Sequence, residues 1–266
     1  MLVPMRWSYP VGTLFGIPVR VHGSLLVVLG LLLLVFTNDA QDVASWLLPL
    51  MLTVALFGSI LIHEFGHALA ARRYNIQTRQ IMLLPIGGVA ILDDSPSEPI
   101  HELWIALAGP ATSLALAAVS WFAFFLTGNE LAGQLAVLNL ALGLFNLIPA
   151  FPLDGGRALR AGLASRVGLG KATRWAARLG RFLALFLIIS GLGSGDLLLA
   201  IVGLFVLVSA TAESRSTMLR IALDSHQAAE LMEPVEHIFG ASASGEEVAD
   251  VLAEHATAQH FPVAFG

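Results

Sequence analysis

His63-Glu64-Phe65-Gly66-His67 brings two imidazoles and a carboxylate together at a spacing that can do hydrolytic chemistry. On a helix, residues four apart share a face, so both rings can bind one zinc ion while Glu64 is left free to act as a base. The surrounding stretch, Trp46 to Ala71, has the length and composition of a membrane-spanning helix. Ionisable groups at bilayer depth are expensive and usually functional, which favours the metal over the plainer reading of histidines that hydrogen-bond between helices.

The elements that must position these groups are set by composition. Of the 266 residues, 56% are hydrophobic and only 12% charged, and the mean hydropathy is +0.79. These values predict an all-α polytopic membrane protein rather than a soluble domain. The net charge of −5 matters less than where the charges fall. There is no cysteine, so disulfides and thiolate ligands are excluded and a metal must be held by His, Asp or Glu. The first apolar run, Leu25 to Phe36, has no small-residue cleavage site after it and is expected to be a retained helix rather than a signal peptide.

Six spans are predicted, at about 22–37, 46–71, 103–127, 131–149, 178–193 and 196–213. The fifth is the weakest, because its strictly apolar part, Phe182 to Leu192, is too short to cross unless Arg178 and Arg181 snorkel from its first turns. A re-entrant hairpin competes for the last pair. With both termini cytoplasmic, all 14 basic residues fall on the inner side, and the opposite loops, 38–45, 128–130 and 194–195, hold none. That is the positive-inside asymmetry expected of a multi-pass plasma-membrane protein. The second span then runs inward, placing His63 and His67 roughly 14 Å or less from the Arg72-Arg73 boundary at 1.5 Å per residue.

The fourth span also runs inward and ends in Asn146-Leu147-Ile148-Pro149-Ala150-Phe151-Pro152-Leu153-Asp154-Gly155-Gly156. Its prolines stop the helix, and a carboxylate follows at much the same depth. Asp154 has two readings: a third zinc ligand, or the N-cap of the short helix that Arg157-Ala158-Leu159 begins. The two are not exclusive, and the HExxH motif favours the ligand. Two neutral imidazoles and one carboxylate would leave a fourth coordination position for water, whose pKa falls toward ~7 there.

With its two motifs in this order and on helices of matching direction, the chain resembles the site-2 protease family of intramembrane zinc metalloproteases over about residues 10–215. The resemblance implies that His63, His67 and Asp154 bind one Zn2+, that Glu64 is the general base, and that Asn146 helps polarise the scissile carbonyl. It also implies that Leu83-Leu84-Pro85-Ile86-Gly87-Gly88-Val89-Ala90 is the membrane-dipping strand that pairs with an extended substrate, with Pro85, Ile86, Gly87, Gly88 and Val89 in contact with it. Ala108-Gly109-Pro110 is similar to the small-residue segment the family packs near the metal. From the residues alone, Gly87-Gly88 suits a substrate strand or an ordinary turn, Gly109-Pro110 suits helix packing and a kink, and Asn146 suits an interhelical hydrogen bond or oxyanion assistance.

Other candidates fit less well. His22 and His101 lie at span ends where imidazole is comfortable, and His226, His237, His255 and His260 belong to a polar tail. Asp93-Asp94-Ser95-Pro96-Ser97-Glu98 reads as a solvated loop. After Arg220 the composition becomes that of a soluble segment, with an amphipathic helix, Glu246 to His255, and a strand-like Phe261 to Phe265. Residues 216–266 resemble the start of a CBS (cystathionine-β-synthase-type) domain, so the division expected is 1–215 and 216–266, with a partial α/β segment whose natural continuation lies beyond the apolar end.

The function expected is cleavage of a peptide bond within or near a transmembrane segment of another protein. A metal-binding scaffold or transporter is the alternative, but polar clustering at one depth argues against transport, and no large exterior segment suggests a peptidase for soluble peptides. The expected partners are the lipid bilayer, a transmembrane protein substrate, a nucleotide at a complete CBS region and a second copy of the chain; nucleic acid is not among them.

Overall fold

The computed structural model describes residues 7–38, 43–85, 87–94, 96, 98–224, 239–240, 242–254 and 263–264. Its contacts divide the chain into two compact units, Met1–Leu219 and Arg220–Gly266.

The first unit opens with a hairpin. Strand β1 (Ser8–Leu14) pairs antiparallel with β2 (Ile17–His22) across Phe15-Gly16. Both turn residues have positive φ, 52° and 81°, which is the conformation that a two-residue hairpin with right-twisted strands demands. Helices α1 (Gly23–Asn38) and α2 (Val43–Arg73) follow, and the chain then returns as β3 (Thr78–Leu84), parallel to β2. Strand β4 (Gly87–Leu92) turns back antiparallel on β3 and lies at the edge of a four-stranded sheet of order β1-β2-β3-β4. The expected single strand from Leu83 to Ala90 is therefore two strands. Pro85 sits in the turn between them and Ile86 lies outside the described residues. The physical reason is local: Pro85 cannot donate to a ladder, and Gly87 at φ 139° takes a conformation that L side chains rarely adopt.

Ile17, Val19 and Ile81 of the sheet pack onto Phe65 and Ala68 of α2, so the sheet lies against the turns that carry the two histidines. Helix α2 ends after Arg72 and Arg73, with Tyr74 and Ile76 returning hydrogen bonds to the Ala71 carbonyl and Asn75 left-handed at φ 60°.

Helix α3 (Pro99–Thr127) begins with proline, whose missing N–H costs nothing in a first turn, and closes on left-handed Gly128. Asn129 caps α4 (Glu130–Asn146), its side chain accepting from Leu131 N at 2.9 Å and Ala132 N at 3.3 Å. A loop in which Ala150, Phe151 and Leu153 are buried leads to α5 (Asp154–Val167), then to α6 (Leu169–Ser194) and α7 (Leu197–Asp224). Phe151 of that loop is fully enclosed by Leu159, Ala176, Ala177 and Ala210, which locks the start of α5 against α6 and α7. Arg160 of α5 pairs with Glu102 of α3 and reaches Thr217 and Glu213 of α7, tying three elements at one end of the bundle.

Among the described residues, four helices are long and apolar enough to cross a bilayer: Pro49–Arg73, Pro99–Thr127, Leu169–Ser194 and Leu197–Leu223. The protein is a multi-pass membrane protein. Helices α1 and α4, with 16 and 17 residues, fall short of the ~20 that a straight crossing needs. The fifth predicted span is corrected in the other direction. It is continuous with a polar, arginine-bearing first half, making a single 26-residue helix that begins at Leu169.

In the second unit, β5 (Phe239–Gly240) and β6 (Val263–Ala264) pair in parallel, with α8 (Gly245–Glu254) between them in sequence. Ser244 Oγ accepts from Glu247 N at the start of α8, and Val248 and Val251 share its half-buried face. Most of the expected strand Phe261–Phe265 lies outside the described residues.

Candidate metal centre

His63 and His67 occupy successive turns of α2, their rings edge to face with centroids 4.8 Å apart and their Nε2 atoms 3.1 Å apart. Asp154, the first residue of α5, brings Oδ2 to 3.1 Å from each Nε2. The three residues are only 4%, 8% and 9% exposed. Asp154 does not cap its helix: the N-cap is Leu153 and no side-chain cap bond forms. Its carboxylate is spent on the histidines instead.

Local sequence explains why Asp154 arrives here. A Cβ at Gly155 would strike the Leu147 and Ile148 carbonyls, and one at Gly156 would strike the Ala150–Phe151 backbone. Only glycines let α5 start directly on the loop that ends α4, which fixes the depth of the carboxylate before them.

The donor set fits a zinc ion. His67 Nδ1 lies 2.7 Å from the Ile105 carbonyl, which only accepts, so Nδ1 carries the hydrogen and the neutral ring presents a bare lone pair at Nε2. That lone pair faces a carboxylate oxygen and a second imidazole nitrogen, an arrangement that repels unless a cation is shared among the three. A tetrahedral ion bound at about 2.0–2.1 Å separates its ligand atoms by about 3.3 Å, close to the 3.1 Å triangle. Space is kept for it: a Cβ on Gly109 of α3 would run into His67 Nε2 and come within 2.7 Å of His63 Nε2.

Glu64 lies beside the triangle and bonds to none of its members. Its Oε2 accepts from the Ala90 N–H of β4 at 3.1 Å, and Gly88 on the same strand sits so close that a Cβ there would overlap the Glu64 side chain. The edge strand thus lies directly on the candidate base. Val89 is exposed and Pro85 half-buried beside it.

This geometry can be set beside known proteins. The model of peptidase family M50 matches residues 51–134 and 127–187. A zinc metalloprotease of Methanocaldococcus jannaschii is 36% identical over 256 residues, covering 94% of this chain and 74% of the relative. The chain belongs to the M50, or site-2 protease, family. Its metal is zinc and its activity that of a zinc metalloendopeptidase acting in the membrane, which disfavours a scaffold or transporter. Rip3 of Mycobacterium tuberculosis is 40% identical over 232 residues, 79% of this chain and 59% of Rip3. Among solved structures, a site-2 protease from Methanocaldococcus jannaschii superposes with a TM-score of 0.62 at 37% identity, covering 78% of this M50 chain and 95% of that one.

Not every sequence candidate joins the centre. Asn146 donates Nδ2 to the Leu142 carbonyl of its own helix. His22 engages Ser24, and His101 stacks on Tyr74 with centroids 4.2 Å apart. Asp93 pairs with Arg79, while Ser95 and Ser97 of the acidic loop, and His226, His237, His255 and His260, lie outside the described residues. Sequence reasoning passed over Ile105 and Ser113, which contact the two Nδ1 atoms. The available signal was their spacing from Gly109, four residues to either side on one face of α3.

Proposed function

We propose that His63, His67 and Asp154 hold the zinc of this M50 protease and that Glu64 is its general base in cleaving a peptide bond in or near a transmembrane segment of a substrate protein. The observation that carries the reading is the 3.1 Å triangle of two imidazole nitrogens and one carboxylate oxygen, with Glu64 beside it and bonded to Ala90 N–H rather than to the triangle. When bound, zinc supplies Lewis acidity to a water molecule and to the scissile carbonyl. Glu64, steadied by Ala90 N–H, takes the proton of the attacking water and delivers it to the leaving amine.

Strand β4 is the segment we assign to the substrate. A helical substrate hides its carbonyls in internal hydrogen bonds and must unwind to be cut, and an edge strand offers the unwound chain new backbone partners. Since Ala90 N–H turns to Glu64 and not to β3, strand alternation sends the peptide groups of Gly88 the same way, toward the open edge. An extended chain added there would run past Glu64. Asn146 spends one Nδ2 hydrogen on the Leu142 carbonyl and keeps a second, and its role toward a scissile carbonyl rests on the family resemblance.

The basic residues support six crossings with both termini on the inner side, α1 and α4 being the short ones. We read 216–266 as a partial CBS-like segment. Nucleotide binding by a complete module and pairing of two chains rest on the resemblance alone and form no part of the proposal.

The deciding experiment compares zinc content and cleavage. Glu64→Gln should keep about one zinc per chain and lose proteolysis by the ~10²–10⁴-fold that general-base catalysis contributes. His67→Ala and Asp154→Ala should lose both. Full activity in Glu64→Gln, or unchanged zinc in Asp154→Ala, would overturn the respective assignment.

A further inference from the structure

Helix α3 presents a stripe at Ile105, Gly109 and Ser113, four residues apart and therefore on one face, to the two histidines. Each member does something different. Ile105 accepts from His67 Nδ1, Gly109 leaves the space beside both Nε2 atoms, and Ser113 Oγ lies 2.8 Å from His63 Nδ1. Ser113 is 1% exposed, between the turn Gly109-Pro110-Ala111-Thr112 and the apolar turn Leu114-Ala115-Leu116-Ala117. A hydroxyl sealed away from water in such surroundings costs free energy unless it is bonded, and its bond goes to His63.

The two histidines are held by unlike partners. A carbonyl can only accept, so Ile105 alone commits His67 to the tautomer with a free Nε2 lone pair. His63 has no such carbonyl. For its Nε2 to face the shared point as a lone pair, the hydrogen must sit on Nδ1 and find an acceptor there, and the Ser113 oxygen is the atom in place to be it. We propose that Ser113 is the positioning residue for His63, fixing its ring angle and tautomer for zinc. The assignment rests on the zinc reading above and adds to it a residue outside both motifs.

Outer partners of this kind typically contribute 10–100-fold to metal affinity. The test is a chelator-competition measurement of zinc affinity on the purified full chain in detergent, with thermal unfolding of the metal-free protein alongside. Ser113→Ala should weaken zinc by 10–100-fold with little change in the metal-free Tm. Ser113→Thr, which restores the hydroxyl, should recover most of the loss. Ser120→Ala, at another buried serine of α3, should bind as the parent does. Wild-type affinity in Ser113→Ala would overturn the proposal, as would a loss matched by a fall in metal-free Tm that threonine does not rescue. Failure of the unmutated chain itself to take up zinc would instead bring down the parent reading, and this one with it.

Discussion

Two glycines separate metal binding from chemistry at single-residue resolution. A methyl group at Gly109 would enter the space between the His67 and His63 Nε2 atoms, whereas one at Gly88 would press on the flexible Glu64 side chain and leave the histidines alone. Gly109→Ala should therefore abolish zinc uptake and cleavage together. Gly88→Ala should keep zinc near one per chain and cut cleavage by at least ~10²-fold, the lower range for a misplaced general base. Metal analysis beside a cleavage assay checks both; retained zinc in Gly109→Ala would show that α3 does not crowd the ion. The contrast also marks what was legible in the sequence. His63, Glu64 and His67 could be read because their geometry is internal to one helix. Gly109 and Gly88 could be singled out but not given a task, since what each meets arrives from another element.

At the scale of elements, the strand over Glu64 carries the sharpest expectation. Ala90 N–H points to the carboxylate and Val89 N–H, by alternation, toward β3. Proline is tolerated on an edge where the N–H faces away from the ladder and is disruptive where it faces in. Ala90→Pro should leave the hairpin and the zinc in place but release Glu64, lowering cleavage. Val89→Pro should break the β3–β4 ladder and lower thermal stability as well. Equal stability loss in the two variants would show that the assumed alternation is wrong. Such distinctions were out of reach from sequence, where Pro85 and the glycine pair read as one strand or one turn. The missed β1–β2 hairpin had a signal in the alternation of Ile17, Val19 and Val21 after Phe15-Gly16, masked by its nearness to a long apolar helix. The start of α6 was missed for the opposite reason: lysine and arginines hid a helix from a reading tuned to hydrophobic runs.

The whole molecule inverts the usual distribution of polarity. Trp121, Phe122 and Phe125 of α3 and Phe182, Phe186 and Ile189 of α6 are exposed, while Ser59, Asn139 and the His63–His67–Asp154 cluster are buried. In water that apolar surface would drive aggregation; in hydrocarbon it is solvated, and the buried polar groups find each other, as Asn139 Nδ2 does at 3.0 Å from Ser59 Oγ. The bilayer therefore supplies the solvent this fold requires, and the remaining question is which way the chain faces it. Composition makes the answer testable, because the absence of cysteine lets single thiols report alone. Asn129 caps α4 in a loop without a basic residue, and Ser165 is exposed near the end of α5 among arginines. With basic segments held on the inner side, Asn129→Cys should react with an impermeant thiol reagent added to sealed cells and Ser165→Cys should react only after lysis. Labelling of Ser165→Cys in sealed cells would reverse the topology, and with it the inner placement of Asp154, which opens the same helix.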